Sequence, residues 1–135
     1  MHILAKNAII EYSISGAPVE SAAKTLVFLP GWGRTKSDFD ALGRLLEARL
    51  RDLCLIALDL PGFGGSPMPV AAGLGIPEYA EILDDFLRKL GIRKAVLVGH
   101  SFGAKIAVAY AAHYPERVEK LALISAAGMS KKTFR

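Results

Sequence analysis

Residues 95–103 carry an apolar run that passes directly into a helical stretch, and they read Ala95-Val96-Leu97-Val98-Gly99-His100-Ser101-Phe102-Gly103. The run at 95–98 is apolar at every position, which is typical of a strand that is buried on both faces of a sheet. Helical spacing follows over 102–113 and stops at Tyr114-Pro115, because proline disfavours helical backbone in the residue before it. A sheet of such strands needs helices on both faces to cover it.

The same alternation of apolar runs and helical periodicity extends along the rest of the chain. It predicts buried strands at 25–29, 53–58 and 118–124, and helices at 37–50, with Ser37 as N-cap, and at 77–90, with Pro77 in the first turn. Residues 1–5 and 8–14 predict a hairpin with a tight turn at Lys6-Asn7. The expected fold class is α/β, with a mostly parallel sheet, an antiparallel N-terminal hairpin at its edge and helices on both faces.

Length and composition indicate one domain over residues 1–135. The chain is 52% hydrophobic and 22% charged, which is too apolar for intrinsic disorder. Residues 131–135 supply three of the four net positive charges, so no basic stripe indicates nucleic acid as a partner. The single cysteine excludes an internal disulfide, no apolar run has the length of a membrane span, and the N-terminus lacks the layout of a signal peptide. We therefore expect a cytoplasmic protein with no membrane partner.

The segment 99–103 is a G-x-S-x-G sequence between a predicted strand and a predicted helix. A sharp turn there holds the serine hydroxyl at the carboxyl end of the sheet, and Gly99 and Gly103 omit the Cβ atoms that would collide with neighbouring elements. The helix N-terminus offers N–H groups and positive potential to an oxyanion. We interpret Ser101 as a catalytic nucleophile; the alternative is a purely structural turn.

A second loop follows the strand at 25–29 and contains Gly31-Trp32-Gly33. It can bring the backbone N–H of Trp32 towards the serine, and the N–H of Phe102 is then the second donor of an oxyanion hole. Gly31, Gly33 and His100 are expected to line the pocket. The alternative is a plain Pro-Gly turn that is plugged by an aromatic side chain.

A third loop, residues 59–66, is rich in glycine but does not have the pattern of a phosphate-binding loop. No lysine follows in Walker spacing, and no G-x-G-x-x-G opens a helix. We interpret Asp59 as a structural residue. No cluster of His, Cys and carboxylate residues has metal-ligand spacing, and serine acyl transfer needs neither a metal nor an organic cofactor, so neither is expected.

These segments together resemble the N-terminal half of the α/β-hydrolase fold family. The resemblance is carried by Leu-Pro-Gly-Trp-Gly at 29–33, Asp-Leu-Pro-Gly-Phe-Gly-Gly-Ser at 59–66, Gly-His-Ser-Phe-Gly at 99–103 and Tyr-Pro-Glu-Arg-Val at 114–118. The chain is similar to carboxylesterases with a Gly-Trp-Gly oxyanion loop and to hydrolases that cleave carbon–carbon bonds. The resemblance implies hydrolysis of small carboxylic esters or similar acyl substrates through an acyl-enzyme on Ser101.

The sequence departs from the family pattern in two places. Pro30 stands where the family usually has a histidine that shapes the oxyanion loop, so we expect altered loop detail with the oxyanion hole retained. The family's triad acid and histidine follow the serine in the chain, yet no carboxylate follows Ile124 and no histidine follows His113. The resemblance therefore implies an incomplete core that lacks the family's last strands, its cap, and both triad partners of the serine.

None of the three histidines is expected to act as the general base. His113 lies twelve residues along the helix from Ser101, or about 18 Å at about 1.5 Å per residue, whereas a base must come within about 3 Å. His2 is predicted on the edge hairpin, and the side chain of His100 diverges from that of its neighbour Ser101. We therefore expect the isolated chain to be close to inert.

Three explanations stay open for a nucleophile without its partners. The chain is a fragment of a longer hydrolase, one half of a split enzyme, or a non-catalytic binding module that reuses the pocket; the intact turn around Ser101 favours the first two. The strand at 118–124 is expected to expose an unpaired edge. A second copy of this chain, as a homodimer, or a complementing chain is then expected to pair with it.

Overall fold

The part of the chain that this computed structural model describes, residues 1–70 and 73–126, contains six strands and three α-helices. The strands are β1 (His2–Ala5), β2 (Ala8–Gly16), β3 (Lys24–Leu29), β4 (Leu53–Leu58), β5 (Ala95–His100) and β6 (Val118–Ile124). The helices are α1 (Asp40–Arg49), α2 (Ile76–Lys89) and α3 (Phe102–His113), and two short 3-10 helices span Lys36–Phe39 and Pro115–Arg117. Every strand and α-helix that the sequence predicts is present. Within the described ranges, no helix combines the length and the hydropathy that crossing a bilayer requires.

All six strands form one mixed sheet in the order β1-β2-β4-β3-β5-β6. β1 pairs with β2, and β2 with β4, in antiparallel orientation, whereas the other three neighbouring pairs are parallel. The predicted α/β sheet with an antiparallel N-terminal hairpin at its edge is confirmed. Because β3 and β5 are neighbours, with Leu29 opposite Gly99, the loops that follow them begin side by side.

Helices cover both faces of the sheet, as predicted. α2 and α3 pack on one face over a core that includes Val27 and Leu97, and α1 packs on the other over Phe28 and Val98. Successive side chains of a strand point to opposite faces, so adjacent residues of β3 and of β5 enter different cores. This explains why the central strands are apolar at nearly every position.

The first helix begins differently from the prediction. Ser37, the predicted N-cap, lies inside the 3-10 helix, and α1 begins only at Asp40. Thr35 is the residue before the 3-10 helix and has an extended conformation. Its side chain makes no capping hydrogen bond. Instead the Lys36 N–H donates to the carboxylate of Asp59, 2.7 Å away. A partner distant in sequence therefore satisfies the first N–H group of this turn, and the local sequence pattern does not indicate such a partner.

Strand β6 forms one edge of the sheet within the described residues. Two of its large apolar side chains are exposed, Leu121 by 38% and Ile124 by 42%. Near its start, Glu119 forms an ion pair with Lys24 of β3. The exposed edge agrees with the expectation from the sequence, and it is the kind of surface on which another strand can pair.

Candidate active site

Ser101 occupies the turn between β5 and α3 in a backbone conformation that residues with a Cβ rarely adopt. Its φ is 51° and its ψ is −109°. The turn is held from two sides, because the Ser101 N–H donates to the Ile124 carbonyl of β6 at 3.0 Å and the Ser101 carbonyl accepts from the Ala104 N–H at 3.1 Å. A strained residue that its surroundings hold in place is a frequent feature of active sites.

The two glycines that flank this turn are required by close packing. A Cβ on Gly99 would lie 2.7 Å from backbone atoms of Ala104, and a Cβ on Gly103 would overlap the carbonyl of Leu29. The first turn of α3 therefore rests directly on the ends of β3 and β5. This contact brings the N-terminus of α3 beside the loop that follows β3.

The loop after β3 presents Trp32 next to the serine turn. Trp32 is 64% exposed, and its indole contacts the ring of Phe102 edge-on, with the ring centroids 5.1 Å apart. Within the described residues, the backbone N–H groups of Trp32 and Phe102 donate to no protein acceptor. These two groups are the donors that the sequence predicts for an oxyanion hole.

Gly31 and Gly33 belong to this loop, and His100 lies against it. Gly33 turns the chain with a φ of +70°, and a Cβ on Gly31 would lie 3.1 Å from Nδ1 of His100, so the imidazole packs under the loop. His100 also lines a cleft of about 330 Å³ on the α1 side of the sheet. In that cleft the guanidinium of Arg34 donates two hydrogen bonds to Asp38 and holds the pKa of this carboxyl below its ordinary value.

Within the described residues, no histidine forms the hydrogen bond to the Ser101 hydroxyl that a general base needs. The Nδ1 of His113 lies 2.9 Å from the Ala109 carbonyl, one turn back on α3. The Nε2 of His2 lies 3.9 Å from the carboxylate of Glu11. The third, His100, lies under the loop after β3 as described above. The same part of the chain holds no group of three or more His, Cys, Asp or Glu residues that could bind a metal ion.

Two aromatic residues beside the serine turn were not identified from the sequence. Phe63 contacts Trp32 with ring centroids 4.8 Å apart, and Tyr79 contacts Phe102 at 5.3 Å. The Tyr79 hydroxyl donates to the Pro61 carbonyl at 2.9 Å. Phe63 could have been identified from the sequence, because it is an aromatic residue inside the glycine-rich loop after β4. Tyr79 could not, because it looks like an ordinary core residue of an amphipathic helix.

Comparisons with known proteins agree with this architecture. A family model described as the alpha/beta hydrolase fold matches residues 24–134. A 2-hydroxy-6-oxononadienedioate/2-hydroxy-6-oxononatrienedioate hydrolase of Paraburkholderia phymatum is 39% identical over 116 residues, which cover 85% of this chain and 39% of that protein. Lipase 1 of Psychrobacter immobilis is 36% identical over 108 residues, 79% of this chain and 33% of that protein.

A solved structure shows the same likeness in three dimensions. The crystal structure of a membrane phospholipase A, described as a bacterial virulence factor, superposes with a TM-score of 0.86 at 35% identity and covers 96% of this chain and 40% of the other. The chain thus spans well under half the length of these relatives. Since the family model matches most of the 135 residues, the chain belongs to the alpha/beta hydrolase fold family.

Proposed function

We propose that this chain supplies the nucleophile and the oxyanion hole of a serine hydrolase that acts on carboxylic esters or similar acyl substrates. The observation that carries the proposal is the conformation of Ser101, which is held at a positive φ on the N-terminus of α3 between two glycines that packing requires. A turn with only a structural role has no need of a strained serine at a helix N-terminus.

The proposed reaction proceeds in two steps. The Ser101 oxygen attacks the acyl carbonyl as its proton passes to a base, and the N–H groups of Trp32 and Phe102 stabilise the resulting oxyanion. Collapse of this tetrahedral species breaks the ester bond, and the alcohol leaves with the proton. Water then attacks the acyl-enzyme in the same way and releases the carboxylic acid and the free serine.

The base and the acid that orients it are proposed to come from polypeptide outside these 135 residues. His2 and His113 have the other partners described above, and His100 packs under the loop after β3. The 135-residue chain alone is therefore expected to be close to inert, because a serine hydroxyl with no base is a weak nucleophile. Further strands of the same fold, a complementing chain or a second copy are proposed to pair with the exposed edge of β6.

The substrate is proposed to present an apolar acyl group. Beside Ser101 the exposed ring of Trp32 contacts the rings of Phe63 and Phe102 edge-on, and the buried ring of Tyr79 supports Phe102. Such a surface offers contact area and few polar partners to a ligand. The relatives include a lipase, whose name fits an apolar acyl chain, and a dienedioate hydrolase, whose name indicates a more polar substrate.

Labelling with a fluorophosphonate probe tests the proposal. The extended protein, meaning the longest natural polypeptide that contains residues 1–135, is expected to be labelled on Ser101 and to hydrolyse small activated esters. Ser101→Ala abolishes both, and Ser37→Ala, at an exposed serine of the 3-10 helix, changes neither. Labelling on another residue while Ser101 stays unmodified contradicts the assignment. If the extended protein binds acyl ligands but is not labelled by the probe and does not hydrolyse esters, the protein is a non-catalytic binding module and the proposal is wrong.

A further inference from the structure

We propose that Asp59 is a positioning residue for the oxyanion hole, because its carboxylate ties the loop after β3 to the loop after β4. The first of these loops carries Trp32 and the second carries Phe63. The inference rests on the proposed function, since it gives Asp59 a part in holding one of the two oxyanion donors in place.

The Asp59 side chain is almost fully enclosed and accepts hydrogen bonds from both loops. Asp59 is 1% exposed. Its Oδ1 accepts from the Lys36 N–H at 2.7 Å, and its Oδ2 accepts from the Gly65 N–H at 2.9 Å. The ammonium group of Lys36 lies 3.5 Å from Oδ2 and compensates the charge. A carboxylate suits this place because both of its oxygens accept hydrogen bonds.

The surrounding backbone is shaped around this carboxylate. A Cβ on Gly64 would overlap Oδ2 of Asp59, and Gly64 has a φ of +52°, so the second loop closes over the acid only with glycine there. The main chain of Asp59 is fixed as well: its N–H donates to the Glu11 carbonyl at 2.9 Å, and its carbonyl accepts from the Ser66 hydroxyl at 2.7 Å. The acid is therefore a rigid point of attachment.

The connection continues from Asp59 to the serine turn. Trp32 lies four residues before Lys36, and Phe63 lies four residues after Asp59. Their rings meet 4.8 Å apart, and the indole also contacts Phe102, the residue after Ser101. The two loops are thus joined through the carboxylate at one end and through the rings at the other. A loop held at both ends keeps the Trp32 N–H at a constant distance from the Phe102 N–H.

Two variants remove the connection in different ways. Asp59→Asn keeps the shape but replaces one accepting oxygen with an NH₂ group, which cannot accept from an N–H. Lys36→Pro removes the donor on the other side, at the first residue of a helical turn that follows an extended residue, where proline fits. Lys36→Met is the matched control, because it removes the ammonium group and keeps the N–H.

Trp32 is the only tryptophan of the 135 residues, so its fluorescence reports on the loop directly. Time-resolved anisotropy of the 135-residue chain should show more fast local motion of the indole in Asp59→Asn and in Lys36→Pro, and wild-type motion in Lys36→Met. In the extended protein, the rate of fluorophosphonate labelling of Ser101 should fall about 100-fold in the first two variants, the loss typical of a displacement of about 1 Å at a reacting centre.

The outcomes separate this inference from the proposed function. Unchanged indole motion in both variants overturns the role of Asp59, as does an equal loss of labelling in Lys36→Met. An unlabelled wild-type Ser101 overturns the proposed function instead, and the anisotropy comparison still decides whether Asp59 holds the loop. If Asp59→Asn does not fold, Lys36→Pro provides both measurements.

Discussion

The backbone of Ser101 combines an unfavourable conformation with a half-buried position at a helix N-terminus. Residues with a Cβ in such a region of φ and ψ are destabilised by about 1–3 kcal/mol. Hydrogen bonds to Ile124 of β6 and from Ala104 of α3 maintain the conformation. The surrounding fold therefore stabilises a local arrangement that the isolated segment would not hold.

The strain at Ser101 predicts that a glycine variant is more stable than an alanine variant, which is the opposite of the usual order. Glycine has no Cβ and relieves the strain, whereas alanine keeps it, so we expect Ser101→Gly to be more stable than Ser101→Ala by about 1 kcal/mol. The usual order is the reverse, by about 0.5–1 kcal/mol. Urea denaturation of both variants measures the difference. The same pair at Ser37 should show the usual order, and an alanine variant at 101 that equals or exceeds the glycine variant would contradict the prediction.

A second residue-scale prediction concerns the acid next to the Lys36 ammonium group. This group donates to the Glu11 carboxylate at 3.0 Å and lowers the pKa of Glu11 below its ordinary value of 4.5. A depressed folded-state pKa means that the carboxylate stabilises the fold fully above pH 4.5, and that this contribution is lost as the pH falls through the lower value. Glu11→Gln should therefore lower the free energy of unfolding at neutral pH.

The difference between Glu11→Gln and wild type should shrink as the pH falls below that ordinary value. A series of denaturation curves from neutral pH to about pH 3 measures it. The control is Glu116→Gln, at an exposed glutamate of the second 3-10 helix, which should show a smaller dependence on pH. A destabilisation by Glu11→Gln that is constant over this range would rule out the linkage.

At the scale of elements, one arginine joins the second 3-10 helix to α2 and α3. The Nε of Arg117 lies 2.9 Å from a carboxylate oxygen of Asp84 on α2 and donates to the Tyr110 hydroxyl on α3, and an Nη donates to the Ile92 carbonyl. Burial raises the pKa of Tyr110 to about 12, so its hydroxyl keeps the proton that it donates to Asp84. This network gives a physical role to the Tyr-Pro-Glu-Arg-Val sequence at 114–118.

Two arginines that bind the same carboxylate differ in burial, and this predicts different losses of stability. The side chain of Arg117 is 13% exposed and that of Arg88 is 59% exposed, and both contact Asp84. Arg117→Met takes the more buried cation from Asp84 and removes the donor to the Ile92 carbonyl, so it should lower the free energy of unfolding by about 1–3 kcal/mol. Arg88→Met should lower it by less than about 1 kcal/mol, because water screens the exposed pair. Equal losses in chemical denaturation would show that burial does not determine the strength of these pairs.

At the scale of the whole molecule, the exposed edge of β6 predicts self-association of the 135-residue chain. The strand carries exposed Leu121 and Ile124 and pairs on one side only within the described residues. Sedimentation over a concentration series should show a rising average mass, and Leu121→Lys should reduce it, because a charge at an edge opposes pairing. Leu45→Lys, at an exposed leucine of α1, adds the same charge away from the edge and should leave the association unchanged. A monomer at high micromolar concentration, with 118–124 protected from hydrogen exchange, would contradict the prediction.

The amino-acid sequence alone determined the type and order of the elements and the turn at Ser101. Periodicity and turn stereochemistry act over a few neighbouring residues, so 53–58, 102–113 and 118–124 are predicted with the bounds that the structure has. The steric need for Gly99 and Gly103 follows from the same local geometry, because a helix that starts directly after a buried strand must pack against it.

Only the tertiary structure decided which loops meet at the serine. Trp32, Phe63 and Phe102 are about 30 to 40 residues apart in the chain, and they come together because the order of the strands places the ends of β3, β4 and β5 next to one another. The bond from the Lys36 N–H to Asp59 has the same origin, and it explains why the predicted cap at Ser37 is wrong. Local patterns encode the conformation of a segment, whereas contacts between loops depend on the arrangement of the whole sheet.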